Sequence, residues 1–273
     1  MKNTLGGAYA VLLTPFKNGQ VDYDAFKAQV LRLQGSNIAG YMVNGSTAEF
    51  PTLSFEEQKK LVEIVYENKD KNKKIIVGAC ASNIKECYDR CVLAKQVGAE
   101  GVLVCPPFYF KYTKQEREEF YTKLADISPV PVILYNVPFF TQELELDVIY
   151  RLSKHPNIWG IKDSSANMKR LIHMVENVGG EDFKVLTGTD DILFPALVGG
   201  CVGSMTALAT IYPDKIFNIY KYVGEGNLEK ARQEQHSILP CLREADSETF
   251  PLGYKKLMEK ASGIPFGNKG DEL

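Results

Sequence analysis

Short apolar runs alternate with longer amphipathic segments along most of the chain. The apolar runs lack strict alternation of polar and apolar positions, which is typical of parallel strands that are covered on both faces. We therefore predict strands over residues 8–13, 40–43, 75–78, 101–104, 130–134, 158–161, 184–186 and 201–205. The amphipathic segments between them predict helices over residues 23–34, 55–68, 84–97, 114–125, 144–154, 167–177 and 192–198.

Four of these helices begin after a side chain that can accept the free N–H groups of a first helical turn. The predicted caps are Asp22, Ser54, Asn83 and Thr113. Glu57 and Glu116 stand three residues after the serine and the threonine, so both of these starts are also capping boxes.

Eight strands interleaved with helices in about 200 residues predict the α/β class and a closed (β/α)8 TIM barrel. An open doubly wound sheet is the alternative, but it needs a glycine-rich turn after the first strand, and Thr14-Pro15-Phe16 is not one. After Pro213 only helical patterns remain, over residues 214–223, 227–244 and 247–261. We therefore expect a barrel over residues 1–212 and a C-terminal helical extension over residues 213–273 that packs on it.

Composition limits the class of protein but does not indicate which reaction it catalyses. The 273 residues are 45% hydrophobic and carry a formal net charge of −2, and no basic stripe predicts a nucleic-acid or membrane-surface partner. No apolar run approaches the ~20 residues that span a bilayer, and the N-terminus lacks a signal-peptide pattern. We therefore expect a cytoplasmic protein whose six cysteines are reduced thiols.

Two neighbouring predicted strands are followed by side chains that suggest a reaction. Lys162 closes the apolar run 158–161, and Tyr135 follows the run 130–134. In a barrel the carboxyl ends of the strands meet at the catalytic mouth, so we expect these two side chains to be neighbours. A lysine amine is nucleophilic when a desolvated pocket favours its uncharged form, and a phenol can shuttle protons. The alternatives are a lysine that extends from a strand end to water and a core tyrosine.

Three separated motifs at predicted strand ends resemble the motifs of a known enzyme family. They are Gly45-Ser46-Thr47-x-Glu49, Tyr135-Asn136-Val137-Pro138 and Gly160-Ile161-Lys162-Asp163-Ser164. In this order they resemble the dihydrodipicolinate synthase / N-acetylneuraminate lyase family of pyruvate-dependent Schiff-base aldolases. The resemblance extends from about residue 12 to residue 206 and includes the helical tail.

The resemblance implies a catalytic set and a substrate-binding set. Lys162 would condense with pyruvate, and Tyr135, Thr47 and Tyr109 would relay protons, with Tyr109 contributed across a subunit boundary in many family members. The implied substrate-binding residues are Ser46, Thr47, Ser164, Gly188, Asp190 and Met205. We expect no cofactor and no metal, because the imine does the work of a Lewis acid. The resemblance implies a homotetramer built as a dimer of dimers, and the aromatic segment 108–112 is the candidate interface.

The chain departs from the synthase pattern beside the proline of its second motif. Phe140 stands where dihydrodipicolinate synthases usually place an arginine for the carboxylate of aspartate semialdehyde, and it offers no charge. Lyases that act on sugar acids tend to have an apolar residue there, although their eighth-strand serine falls at Ala207. In the first motif Ala48 replaces a usual glycine. We therefore expect a lyase or aldolase that joins pyruvate to an aldehyde of sugar-acid type.

Three other functions remain open: a 4-hydroxy-tetrahydrodipicolinate synthase, a non-catalytic relative that binds a keto acid, and an unrelated barrel enzyme with a phosphate site. Structural roles also remain open for several candidates. Ser46 and Thr47 suit a turn, Glu49 suits a structural role, and Asp190 suits a helix start. Tyr109 lies in an aromatic cluster that is also typical of a packing surface or a subunit interface.

Overall fold

The computed structural model describes residues 2–268, and these form a closed barrel of eight strands. The strands are β1 Gly7–Val11, β2 Gly40–Val43, β3 Lys74–Gly78, β4 Gly101–Val104, β5 Val132–Asn136, β6 Ile158–Asp163, β7 Lys184–Thr187 and β8 Gly203–Thr206. Each strand lies beside the next one in the chain, and β8 closes the ring against β1. This order confirms the predicted TIM barrel and excludes the open doubly wound sheet.

Eleven α-helices accompany the strands within the described residues. They are α1 Tyr23–Arg32, α2 Phe55–Asn68, α3 Ile84–Gln96, α4 Lys114–Ile127, α5 Leu146–Leu152, α6 Met168–Val178, α7 Leu193–Val198, α8 Leu208–Ile211, α9 Pro213–Gly224, α10 Leu228–Asp246 and α11 Leu252–Ser262. The four predicted caps each accept a hydrogen bond from the N–H three residues further on, and both capping boxes form. A short antiparallel hairpin, Phe16–Lys17 with Gln20–Val21, follows β1.

Two boundaries near the C-terminus differ from the prediction. Helix α10 continues to Asp246, and the last helix begins at Leu252 instead of residue 247. Pro251 explains the late start, because a proline disfavours helical geometry in the residue before it. The short helix α8 was not predicted from the sequence.

The described chain clusters into two compact units, each of which is described separately. The first contains residues 2–7 and 76–205, and the second contains residues 8–75 and 206–268. The C-terminal helices α9 to α11 therefore belong to the same unit as β2, α1 and α2. The division at residue 212 stays a prediction, and residues 269–273 of the expected extension lie outside the described residues.

Within residues 2–268, no helix combines the length and the apolar character that crossing a bilayer requires. The core of the barrel instead consists of short buried strands. All five residues of β5 are buried, as are all four of β4. Buried strands of this kind hold the side chains at their carboxyl ends in fixed positions.

Candidate active site

Lys162 and Tyr135 are register partners on adjacent strands. Both strands run further than predicted, so that Tyr135 lies inside β5 and Lys162 inside β6. The lysine side chain lies against the tyrosine, with Nζ 4.4 Å from the centroid of the phenol ring. Lys162 is 4% exposed, and it forms no ion pair with any of the described residues. The structure thus brings together a buried amine and a phenol, which are the two groups that Schiff-base chemistry needs.

Gly188 and Ser164 complete the surroundings of this lysine. A Cβ at position 188 would lie 2.6 Å from Lys162 Cε and 2.0 Å from Ser164 Oγ. The aliphatic part of Lys162 therefore occupies the space that a side chain at Gly188 would fill. Backbone bonds fix the arrangement, because Gly188 N–H donates to Asp163 C=O at 2.7 Å.

A buried polar network supports the residues that follow this pair. Asn136 and Asp163 are also register partners, and the Asn136 amide donates to the Asp163 carboxylate at 2.8 Å. The same carboxylate accepts from Arg170 Nε at 2.8 Å, and Arg170 also pairs with Glu143 at 2.7 Å. Asn136 Oδ1 accepts the N–H of Leu144 at 2.9 Å. This network ties the ends of β5 and β6 to α6 and to the segment before α5.

The sequence did not predict the part that Arg170 plays. Asp163 directly follows the candidate nucleophile, and a buried carboxylate needs a cationic partner. That requirement is the one signal that could have directed attention to an arginine in the following helix. Met205 in β8 and Asp190 in the short 3-10 helix Asp190–Ile192 are both buried, but the described contacts do not place either of them against Lys162.

The second unit holds the turn that contains Ser46 and Thr47. These residues form the 3-10 helix Ser46–Ala48 after β2, with Thr47 buried and Ser46 half-buried. The hydroxyl of Thr14 donates to the Ala48 carbonyl at 2.7 Å. Ala48 is not among the residues with positive φ, so an alanine fits where relatives have glycine.

Glu49 ends this turn and has a structural partner that the sequence did not reveal. Its backbone is left-handed, with φ 56°, and its carboxylate pairs with Lys255 of α11. Lys255 is 1% exposed, and its ammonium also lies 4.5 Å from the ring centroid of Phe16. The partners are 206 positions apart in the sequence (255 − 49), so no local pattern could predict this ion pair. It supports the structural role considered for Glu49.

The aromatic loop after β4 lies at the surface of the first unit. Tyr109 is 90% exposed and has φ 81°, and its ring meets that of Phe110 edge to face at 4.9 Å. Gln142 joins this loop to the one after β5, because its side chain accepts from Tyr112 N–H at 2.6 Å and donates to Tyr112 C=O at 3.0 Å. Phe140, in the joined loop, is also exposed. Tyr109 is therefore separate from the buried pair within the unit.

Comparisons with known proteins agree with this geometry. Residues 4–268 match the model of the dihydrodipicolinate synthetase family. A 4-hydroxy-tetrahydrodipicolinate synthase from Methanospirillum hungatei is 33% identical over 257 residues, which cover 93% of this chain and 88% of that protein.

The solved structures that are similar to this chain include both synthases and aldolases. The 4-hydroxy-tetrahydrodipicolinate synthase of Methylacidiphilum fumariolicum has 28% identity and a TM-score of 0.92, with 99% of this chain and 90% of that chain covered. The 2-keto 3-deoxygluconate aldolase of Picrophilus torridus has 26% identity and a TM-score of 0.91, with 97% and 96% covered. On this evidence the chain belongs to the dihydrodipicolinate synthetase family and is a lyase of that family.

Proposed function

We propose that Lys162 forms a Schiff base with pyruvate and that the enzyme reversibly joins the bound pyruvate to an aldehyde of sugar-acid type. The observation that carries this proposal is the buried lysine amine lying 4.4 Å from the Tyr135 ring without an ionic partner among the described residues. A lysine amine is the nucleophile of Schiff-base chemistry, and the adjacent phenol is a group that can carry protons for it.

The chemistry follows from that amine. It attacks the keto carbon of pyruvate, and loss of water leaves a protonated imine. Loss of a proton from the methyl carbon gives an enamine, whose carbon attacks the aldehyde carbon and forms the new bond. Water then hydrolyses the imine and regenerates the amine. Tyr135 lies close enough to the amine to carry protons to and from these intermediates, with Thr47 and Tyr109 proposed as the rest of the relay.

The remaining proposed roles concern binding of the keto acid. We propose that Ser46 and Thr47 hold its carboxylate through their hydroxyl and backbone N–H groups, a role that suits the turn after β2. Ser164 and Gly188 would shape the pocket around Lys162, and Met205 and Asp190 would complete it. No cofactor enters the proposed reaction, since the protonated imine is itself the electron sink.

Phe140 favours a sugar-acid aldehyde over aspartate semialdehyde. An exposed phenylalanine cannot bind a carboxylate bidentately as an arginine does. The likeness to the Picrophilus torridus aldolase is consistent with this choice. The name of the Methanospirillum hungatei relative favours the second candidate, 4-hydroxy-tetrahydrodipicolinate synthase.

Steady-state assays with each aldehyde separate the two candidates. We expect turnover of pyruvate with a sugar-acid aldehyde and little with aspartate semialdehyde. The Phe140→Arg variant should gain activity with the semialdehyde, because it supplies the missing cation. Efficient use of the semialdehyde by the unaltered enzyme would instead make it a synthase.

Borohydride trapping tests the Schiff base itself. Reduction in the presence of pyruvate should fix one pyruvyl group on the peptide that contains Lys162, as read by mass spectrometry. The Lys162→Arg variant should remain unmodified, and Lys184→Arg, which alters a half-buried lysine of β7, should be modified like the unaltered enzyme. Binding of pyruvate without any adduct would make the protein a keto-acid-binding relative.

We further propose that the enzyme is a cytoplasmic homotetramer built as a dimer of dimers. The exposed aromatic loop that contains Tyr109 and Phe110 supports an interface there, because large apolar side chains are enriched where subunits meet. In such an assembly Tyr109 would serve the active site of a neighbouring subunit.

A further inference from the structure

Two buried cysteines that the proposed reaction does not use lie side by side at the ends of neighbouring strands. Cys80 follows β3 and Cys105 directly follows β4. The N–H of Cys105 donates to the sulfur of Cys80 at 3.2 Å, and the Cys80 thiol donates to the Leu103 carbonyl at 3.5 Å. Both cysteines are free and buried.

The strand register gives these two residues the separation that a disulfide needs. Gly78 is the register partner of Leu103, and Ala79 N–H donates to Leu103 C=O at 2.9 Å. Two residues further along, Cys80 therefore stands opposite Cys105. Neighbouring strands lie ~4.8 Å apart, which is within the ~4.4–6.8 Å between Cα atoms that a disulfide spans. The two residues therefore stand at a spacing that a disulfide can span.

The two thiols differ in pKa, and a reactive pair requires such a difference. The neighbouring Cys105 thiol lowers the pKa of Cys80 against the opposing effect of burial, and the positive charge of Lys162 lowers it further. The pKa of Cys105 is raised well above its ordinary value by the adjacent Cys80 and by burial. A thiolate is the form that attacks an oxidant, so Cys80 is the attacking residue and Cys105 the resolving one.

We propose that Cys80 and Cys105 form a peroxide-sensitive thiol pair whose oxidation to a disulfide, at the strand end next to Tyr135, reversibly slows the enzyme. The Cys80 thiolate attacks one oxygen of hydrogen peroxide, the O–O bond breaks, and hydroxide leaves to give a sulfenic acid. The Cys105 sulfur then attacks the Cys80 sulfur, and the sulfenic oxygen leaves as water. In total, two thiols and one peroxide become one disulfide and two waters.

The effect on turnover comes from the position of the pair. Val104 is the register partner of Leu134, so Cys105 stands opposite Tyr135 one residue further along, and Tyr135 is the register partner of Lys162. In the reduced protein both cysteines carry free thiols, and the Cys105 N–H donates to the Cys80 sulfur. A disulfide carries no charge and no S–H group, and it draws the sulfur toward Cys105. The surroundings of the lysine amine therefore change when the bond forms.

Mass spectrometry after mild peroxide treatment and thiol alkylation tests the pair directly. We expect the peptides of Cys80 and Cys105 to be joined by a disulfide, while Cys201 and Cys241 stay alkylated. Turnover should fall at least tenfold and return after dithiothreitol. The Cys105→Ser variant should form no joined peptide and should resist reversible inactivation, and Cys201→Ser, at another buried cysteine, should behave like the unaltered enzyme.

Two results would overturn the proposal. One is recovery of Cys80 and Cys105 as free or singly oxidised residues after inactivation. The other is equal, dithiothreitol-reversible inactivation of the Cys105→Ser variant. The joined peptide is detected without any assay of turnover, so an incorrect assignment of the aldehyde, or of the Schiff base itself, would not affect this readout.

Discussion

At the level of single residues, Lys162 and Ser164 occupy the space that a side chain at Gly188 would need. We expect Gly188→Ala to lower kcat/KM by about a hundredfold, because a methyl group 2.6 Å from Lys162 Cε must displace the amine, and a displacement of about 1 Å costs on this order. Steady-state kinetics and borohydride trapping measure the effect. Gly180→Ala is the matched control, since nothing lies within 4 Å of a Cβ there. Equal kinetics for both variants would show that Gly188 does not set the lysine position.

A second residue-scale prediction concerns the ion pair between Arg170 and Asp163, the residue that follows Lys162. Arg170→Met leaves the Asp163 carboxylate buried without its cation, and breaking a buried pair in this way costs about 3–5 kcal/mol. We expect that loss in the free energy of unfolding measured with urea. Arg232→Met is the control, because Arg232 and Glu229 form an exposed pair that contributes at most about 1 kcal/mol. Similar losses for both variants would contradict a special role for the buried pair.

At the level of secondary-structure elements, ion pairs between α4 and α5 make the free energy of unfolding depend on pH. Hydrogen bonds from Lys114 and then Arg151 lower the pKa of Asp147 from 3.8 to about 2. A lowered folded-state pKa means that the carboxylate stabilises the fold above about pH 4 and loses that contribution as the pH falls toward 2. We expect the unaltered protein to be more stable than Asp147→Asn near pH 6, with the difference vanishing near pH 2. Urea unfolding across this range measures it, and a difference that is independent of pH would contradict the assignment.

Much of this element-level structure could be predicted from the sequence, because the signals are local. Asp22 and Thr113 cap the helices that their positions indicate, and the apolar runs become the barrel strands. The adjacency of Tyr135 and Lys162 also followed, since it needs only the barrel and the order of its strands.

The supporting contacts could not be predicted, because they depend on the three-dimensional fold. The pairing of Arg170 with Asp163 requires the exact rotation of α6, and that of Lys255 with Glu49 joins residues that are far apart in the sequence. Cys80 and Cys105 become neighbours only through the register of β3 and β4. Residue type and spacing therefore revealed the candidate chemistry, while packing determines how it is held.

At the scale of the whole molecule, the exposed aromatic loop after β4 predicts an assembly. Tyr109 and Phe110 are 90% and 68% exposed, and Tyr109 has a left-handed backbone that is uncommon for a residue with a side chain. Two exposed aromatic rings do not stabilise a monomer in water, whereas burial of the rings at an interface would stabilise an assembly. We therefore expect sedimentation velocity to detect a tetramer, and Phe110→Asp to shift it to dimers or monomers.

Separate variants distinguish assembly from catalysis at this loop. Tyr109→Phe keeps the ring and removes the hydroxyl, so it should preserve the tetramer while slowing turnover if the hydroxyl relays protons. Tyr66→Asp is the control, because Tyr66 is a half-exposed aromatic residue of α2 that lies outside the loop. If Phe110→Asp remained a tetramer, the interface would lie elsewhere on the molecule. If a stable monomer retained full activity, Tyr109 could not serve a neighbouring subunit, and the proton relay would have to be completed within one chain.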